Sequence, residues 1–250
     1  MTGGTYDVVV RRIAIVMAMG AEASSLLVSL SAVAVHGAPP LTVKWFSARR
    51  HGAEILIALN GRDRRYGVDS IGTDAAVLNT YAVIERFEPD IVISAGTAGG
   101  WSREGGEIGD VYVSDRHVVH HDRRIDLPGF AEYGIGRHPV VSLRNMAAQL
   151  GLKIGVVTTG NSLDEAEPDR RMIVASGAAV KDMEAASVGY VCSQMSIPFV
   201  AVKAITDLVD HPTSTAEQFD ANLLMAARRL AEELLRVLDW LIPRELSQLD

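Results

Sequence analysis

Two short segments, Lys181-Asp182-Met183-Glu184 and Lys203-Ala204-Ile205-Thr206-Asp207, each bring an apolar run to an end on a carboxylate. In an open α/β sheet ligands bind beyond the carboxyl ends of the strands, so Glu184 and Asp207 point to two arms of one polar small-molecule site. Glu22 supplies a third arm. It follows the apolar run 13–19 in the first turn of an expected helix, among Met17, Met19 and Ala21, and a partly desolvated glutamate there is suited to act as a general base on water. Each acid taken alone is an ordinary helix-start or turn residue. Three of them at three strand ends, all in apolar surroundings, point to acid–base chemistry on a bound ligand.

Other clusters are less specific. Ser94-Ala95-Gly96-Thr97-Ala98-Gly99-Gly100 would let a ligand approach the backbone, but it matches neither the dinucleotide nor the P-loop pattern and reads equally as a tight turn. Arg62, Arg64 and Arg65 follow a strand end and form either a phosphate clamp or a solvated patch. His117, His120, His121 and Asp122 lack a second cluster with ligand spacing, so no metal is expected.

The elements that must position these residues follow from apolar patterning. Strand-like runs recur at 13–17, 43–47, 55–59, 91–95, 110–119, 154–158, 179–182 and 199–205. Helix-patterned segments lie at 21–30, 67–87, 142–150, 184–195 and 215–241, and this alternation predicts a three-layer α/β domain. In the last helix Leu223, Leu224, Leu230, Leu234, Leu235 and Leu238 mark the face that closes the core. The stretch 123–139 is the most irregular and suits a lid or interface element.

Composition narrows the function classes. At 250 residues the chain is expected to form one domain over 1–250, with a core at about 12–241. A net charge of −7 disfavours nucleic acid as a partner, and nothing approaches the roughly twenty apolar residues of a membrane span. The single cysteine, Cys192, excludes an internal disulfide, reads as a buried side chain and fits a reducing, cytoplasmic compartment. The apolar stretch after Arg11 and Arg12 is too short for a signal peptide and reads as a first strand.

The ordered segments Ala18-Met19-Gly20-Ala21-Glu22-Ala23, Gly61-Arg62-Asp63, Asp69-Ser70-Ile71-Gly72-Thr73, Gly96-Thr97-Ala98-Gly99-Gly100, His121-Asp122-Arg123-Arg124-Ile125, Gly160-Asn161-Ser162-Leu163-Asp164, Lys181-Asp182-Met183-Glu184 and 203–210 resemble one family. It is the 5'-methylthioadenosine/S-adenosylhomocysteine nucleosidase family of the nucleoside phosphorylase superfamily. The resemblance runs from 13 to about 238 and is stronger to the plant-type enzymes than to the common bacterial one. It implies an α/β/α sandwich with a central mixed sheet, a homodimer, a small-molecule nucleoside substrate and no cofactor.

The resemblance also implies roles. Cleaving the bond between purine N9 and ribose C1' requires a protonated leaving group, a stabilised oxocarbenium-like sugar and a delivered water. By resemblance Asp207 donates a proton to purine N7, Glu22 polarises the water, and Glu184 accepts hydrogen bonds from the ribose 2' and 3' hydroxyls. Met19 and Met183 match positions that pack on the ribose. Thr97, Ala98 and Gly99 match a turn beside the nucleoside, Leu163 and Asp164 the segment holding adenine, and Lys181 and Asp182 belong to the same substrate-binding run as Glu184. Lys203, an arginine in the common bacterial enzyme, is expected to help position the water and Glu22. Ile125, Pro128 and Phe130 are expected to reach across the dimer interface over the substrate's 5' tail. This chain reads Leu127-Pro128-Gly129-Phe130 where a plant-type sequence reads Ile-Pro-Met-Phe, and it carries Tyr66 and His120 in uncommon places, which leaves the 5' specificity open. Three alternatives remain: a phosphorylase using Arg62, Arg64 or Arg65, hydrolysis of another modified purine nucleoside, and a catalytically silent nucleoside-binding protein.

Overall fold

A computed structural model describes residues 9–249. The ends of the expected domain, residues 1–8 and 250, lie outside the described residues. The first half of the chain forms β1 (Arg12–Met17), α1 (Gly20–Ser29), β2 (Val33–Val35), β3 (Lys44–Arg50), β4 (Ala53–Leu59), α2 (Thr73–Phe87), β5 (Ile91–Gly100) and β6 (Val111–His120). There follow α3 (Phe130–Ile135), β7 (His138–Pro139), α4 (Arg144–Leu150), β8 (Lys153–Thr159), α5 (Glu167–Ser176), β9 (Ala178–Asp182), α6 (Ala185–Met195), β10 (Phe199–Leu208) and α7 (Thr215–Leu241).

The central strands are apolar on both faces because both faces are covered. Side chains alternate across a strand, so Ile13, Ile15 and Met17 of β1 and Ile55, Ile57 and Leu59 of β4 enter one core with α1 and α7. Their neighbours Ala14, Val16, Leu56 and Ala58 enter a second core with α2 and α6. Two cores on opposite faces of one mixed sheet make the three layers predicted from the alternation of elements. In α7 the residues Leu230, Leu234, Val237, Leu238 and Leu241 are all buried, and Ser214 caps the helix by accepting from the Glu217 amide at 3.4 Å. Leu224, expected on that apolar face, is 62 % exposed because it lies before the helix meets the core.

β5 is the branch point of the sheet. It pairs in parallel with β1 and β10, while its last residues Gly99 and Gly100 pair antiparallel with Lys181 and Val180 of β9. From β10 the order continues through β6 and β8 to β9, so these five strands close a ring at one end of the sheet. The other end runs β1-β4-β3-β2 as an open edge.

The helix expected from residue 67 begins at Thr73. Residues 61–70 instead fold into a hairpin-like arm, with an isolated bridge between Arg62 and Asp69, and Gly72 sits at φ 94°, a left-handed conformation that ends the arm. The irregular stretch 123–139 holds the short α3 and the two-residue β7.

Candidate active site

β1 delivers the chain to Met19, and α1 starts at Gly20, which puts Glu22 in the first helical turn. Glu22 is buried, and three donors converge on its carboxyl group. The Thr97 amide and hydroxyl both reach Oε1 at 2.6 Å, and the Met19 amide reaches Oε2 at 3.2 Å. β5 must be bare here, since a Cβ on Gly96 would lie 3.1 Å from Glu22 Oε1.

Asp207 owes its direction to a β-bulge. Ile205 pairs with Ala98 and Asp207 with the next residue, Gly99, so Thr206 is an extra residue in the ladder. Ile205 stays in the apolar core, and one ladder step later Asp207 turns to the opposite face. Its Oδ1 accepts from the Thr206 hydroxyl at 2.7 Å, whereas its buried Oδ2 has no partner among the described residues. A Cβ on Gly99 would stand 2.8 Å from that oxygen, so glycine leaves the carboxyl its room. Burial raises the pKa of Asp207 above the ordinary aspartate range, against smaller opposing effects of the Thr206 hydroxyl and Lys181.

Glu184 occupies the residue before α6 but caps nothing. That task falls to its neighbours: the Ala185 amide donates to Asp182 Oδ2 at 2.8 Å and the Ala186 amide to Thr159 Oγ1 at 2.9 Å. Glu184 is therefore available to turn outward, and its Oε1 accepts from the Gly72 amide at 2.8 Å. Burial, and then the negative charge of Asp182, push its carboxyl up to about 7.

Behind this wall Lys203 Nζ stands 2.8 Å from Asp182 Oδ2, with both side chains buried. Burial is the largest effect and opposes both charges, but the opposing effects together outweigh it: Lys203, Thr159 and the Ala185 amide hold Asp182 below its ordinary pKa, and Asp182, Glu184 and Glu22 hold Lys203 above. Lys181 donates to the Ser162 and Leu163 carbonyls at 2.8 and 2.9 Å, which fixes the 161–164 loop against β9.

These side chains surround a cavity of about 880 Å³, a size suited to a nucleoside. Of the residues expected from sequence, Met19, Glu22, Thr97, Ala98, Gly99, Leu163, Lys181, Asp182, Met183, Glu184 and Asp207 line it. Lys203 does not; it lies under the wall, bound to Asp182. Asp164 is exposed outside the lining, as are Pro128 and Phe130, and Ile125 is half-buried away from it. Ala18, Val68, Asp69, Ile71, Asn161, Thr206 and Phe219 join the lining without having been assigned to it from sequence, as does Arg62, expected there only in the phosphorylase alternative. Most of them fall inside segments that carry the family resemblance; Phe219 had no signal beyond its place early in α7.

Arg62 alone of the three clustered arginines lines the cavity, and it is engaged within its own arm, donating to the Gly67 carbonyl and standing 4.0 Å from Asp69. Arg64 donates to the Pro40 carbonyl at 2.8 Å and Arg65 stacks on Tyr66. Among the charged residues of the lining the acids Glu22, Asp69, Asp182, Glu184 and Asp207 outnumber the bases Arg62 and Lys181, which disfavours an anionic nucleophile. Among the described residues no group of three or more His, Cys, Asp or Glu could hold a metal ion, and no helix is long and apolar enough to cross a membrane.

Residues 12–239 match the family model of the phosphorylase superfamily. Over 204 residues the chain is 45 % identical to the 5'-methylthioadenosine nucleosidase of Arabidopsis thaliana, spanning 80 % of this chain and 76 % of the relative. Over 240 residues it is 39 % identical to the 5'-methylthioadenosine/S-adenosylhomocysteine nucleosidase of the same plant, spanning 95 % and 94 %. The apo structure of Arabidopsis thaliana 5'-methylthioadenosine nucleosidase superposes with a TM-score of 0.93 at 38 % identity, over 96 % of this chain and 99 % of that one. The chain belongs to the phosphorylase superfamily and, within it, to the 5'-methylthioadenosine/S-adenosylhomocysteine nucleosidase family.

Proposed function

We propose that this chain hydrolyses the N-glycosidic bond of 5'-methylthioadenosine to adenine and 5-methylthioribose, and accepts S-adenosylhomocysteine as a second substrate. Asp207 gives its proton to purine N7, and the C1'–N9 bond breaks with its electron pair leaving on the purine. Water adds to C1' and passes a proton to Glu22, while Glu184 accepts from the 2' and 3' hydroxyls and its charge offsets the developing cation. Met19 and Met183 pack on the sugar. Ala98 and Gly99 lie beside the nucleoside, Leu163 bounds the adenine, and Lys203 acts from behind Asp182 as a buried counter-charge.

The observation that carries this reading is the contrast between the acids in one cavity. Asp207 has a buried, unpartnered oxygen and a raised pKa, as a proton donor needs, while the carboxyl groups of Glu22 and Glu184 are already oriented by backbone amides.

The active form is proposed to be a homodimer, with Ile125, Pro128 and Phe130 of one copy closing the other's pocket over the 5' tail. Exposed apolar side chains in that segment, Leu127 at 58 %, Phe130 at 52 % and Tyr133 at 65 %, support such an interface. Residues 12–241 act as one nucleosidase domain in the cytoplasm, where the sulfur-bearing sugar product fits methionine salvage.

Product analysis of 5'-methylthioadenosine, S-adenosylhomocysteine and adenosine incubations, with and without phosphate, tests the reading. Adenine and free 5-methylthioribose are expected in phosphate-free buffer. Strict dependence on phosphate would overturn hydrolysis in favour of a phosphorylase that uses Arg62.

A further inference from the structure

The ribose-facing carboxyl of Glu184 is aimed by the Gly72 amide at 2.8 Å. Gly72 is the residue before α2, and what fixes that end of the helix comes from a different part of the chain. Asn161 Oδ1 accepts from the Thr73 amide at 2.9 Å and from the Thr73 hydroxyl at 3.0 Å. Asn161 is itself held on its far side: its backbone amide and its Nδ2 both donate to Asp122 Oδ2, at 2.9 and 3.2 Å. The fit is close, since a Cβ on Gly72 would stand 2.9 Å from Asn161 Oδ1.

We infer that Asn161, braced by Asp122, is a positioning residue that sets the first turn of α2 so that the Gly72 amide holds Glu184 toward the ribose hydroxyls. Both Asn161 Oδ1 and Nδ2 are engaged by protein, Oδ1 by Thr73 and Nδ2 by Asp122, so the side chain is committed to bracing the helix. α2 offers no side-chain cap of its own, because Gly72 has none to give, and Asn161 supplies that cap from the 161–164 loop. That loop also carries Leu163 and is tied to β9 by Lys181, so one short segment serves both the purine side and the ribose side of the cavity.

The inference rests on the proposed role of Glu184, and the test separates the two. Adenine release is measured for 5'-methylthioadenosine and for its 2',3'-dideoxy analogue, with spontaneous hydrolysis subtracted, in the unmodified protein, Asn161→Ala and Asp122→Ala. Asn161→Ala is expected to lower kcat/KM about 10- to 100-fold for the ribonucleoside and less than about threefold for the dideoxy analogue, which has no hydroxyls for Glu184 to hold. Asp122→Ala, which leaves the Thr73 contacts in place, is expected to show the same selectivity at smaller size. Equal losses on both substrates in the two variants would overturn the inference, since a merely structural role does not distinguish them. Failure of the unmodified protein to release adenine, or to prefer the ribonucleoside, would instead overturn the proposed function and the role of Glu184 with it.

Discussion

At the Glu22 corner of the cavity three donors from Thr97 and Met19 converge on one carboxyl group; at the Asp207 corner a single hydroxyl reaches Oδ1, and Oδ2 has no partner among the described residues. Both acids are buried, and both sit where a strand ends. What differs is how the backbone meets them. Glu22 lies against amides at the start of α1 and along β5, whereas Asp207 rides a bulge over a glycine that presents no side chain and no donor. A carboxyl held by several donors has one orientation, as befits a group that aligns a water. A buried carboxyl with an empty oxygen favours its neutral form, as befits a group that gives up a proton.

The most severe way to break this contrast is to remove the exchangeable proton alone. Asp207→Asn retains an oxygen for the Thr206 hydroxyl and is expected to lower kcat on the order of 10³-fold without loss of melting temperature. Undiminished adenine release would refute the donor role. Glu22→Gln comes next. Its carbonyl still serves Thr97, but its amide would face the Met19 N–H, and a kcat loss of about 10²- to 10³-fold is expected in the same assay.

Glu184 sharpens the comparison through pH. Its carboxyl stands near 7, and only the ionised form accepts two hydroxyls, so kcat/KM should climb as pH rises through about 7. Below that value the protonated fraction grows and activity falls. Glu184→Gln is expected to lose about 100-fold and to flatten this acid limb; a limb that survives in the variant belongs to another group. The smallest change is Gly99→Ala, whose methyl would press on Asp207 Oδ2 from 2.8 Å. A loss of about tenfold in kcat is expected, with KM moving less.

Much of this was legible in sequence because strand ends announce themselves. An apolar run that stops at an acid marked Glu22, Glu184 and Asp207, and the same alternation gave the layers and the buried faces of β1, β4, β5 and β10. The elements that escaped notice lack that signal. α5 buries only Asp169 and Ile173, so it shows no apolar stripe, and β2 is a three-residue edge strand with every side chain exposed. The helix expected over 67–87 takes in Val68, yet that residue belongs to an arm whose shape is set by the Arg62–Asp69 pairing. Arg62, Val68 and Asp69 reach the cavity only through that arm, and Asn161 through its tie to Asp122. Such contacts are tertiary, and no local periodicity encodes them.

The extra residue in β10 has a consequence for how such a site can arise or vanish. A strand alternates its faces in strict phase, and Thr206 slips that phase by one step between the apolar core and the cavity. Whether the strand tip presents an acid or a greasy wall is thus decided by residue number as much as by residue type. In a lineage of such chains, a one-residue deletion here would silence the chemistry while leaving all three acids in the sequence.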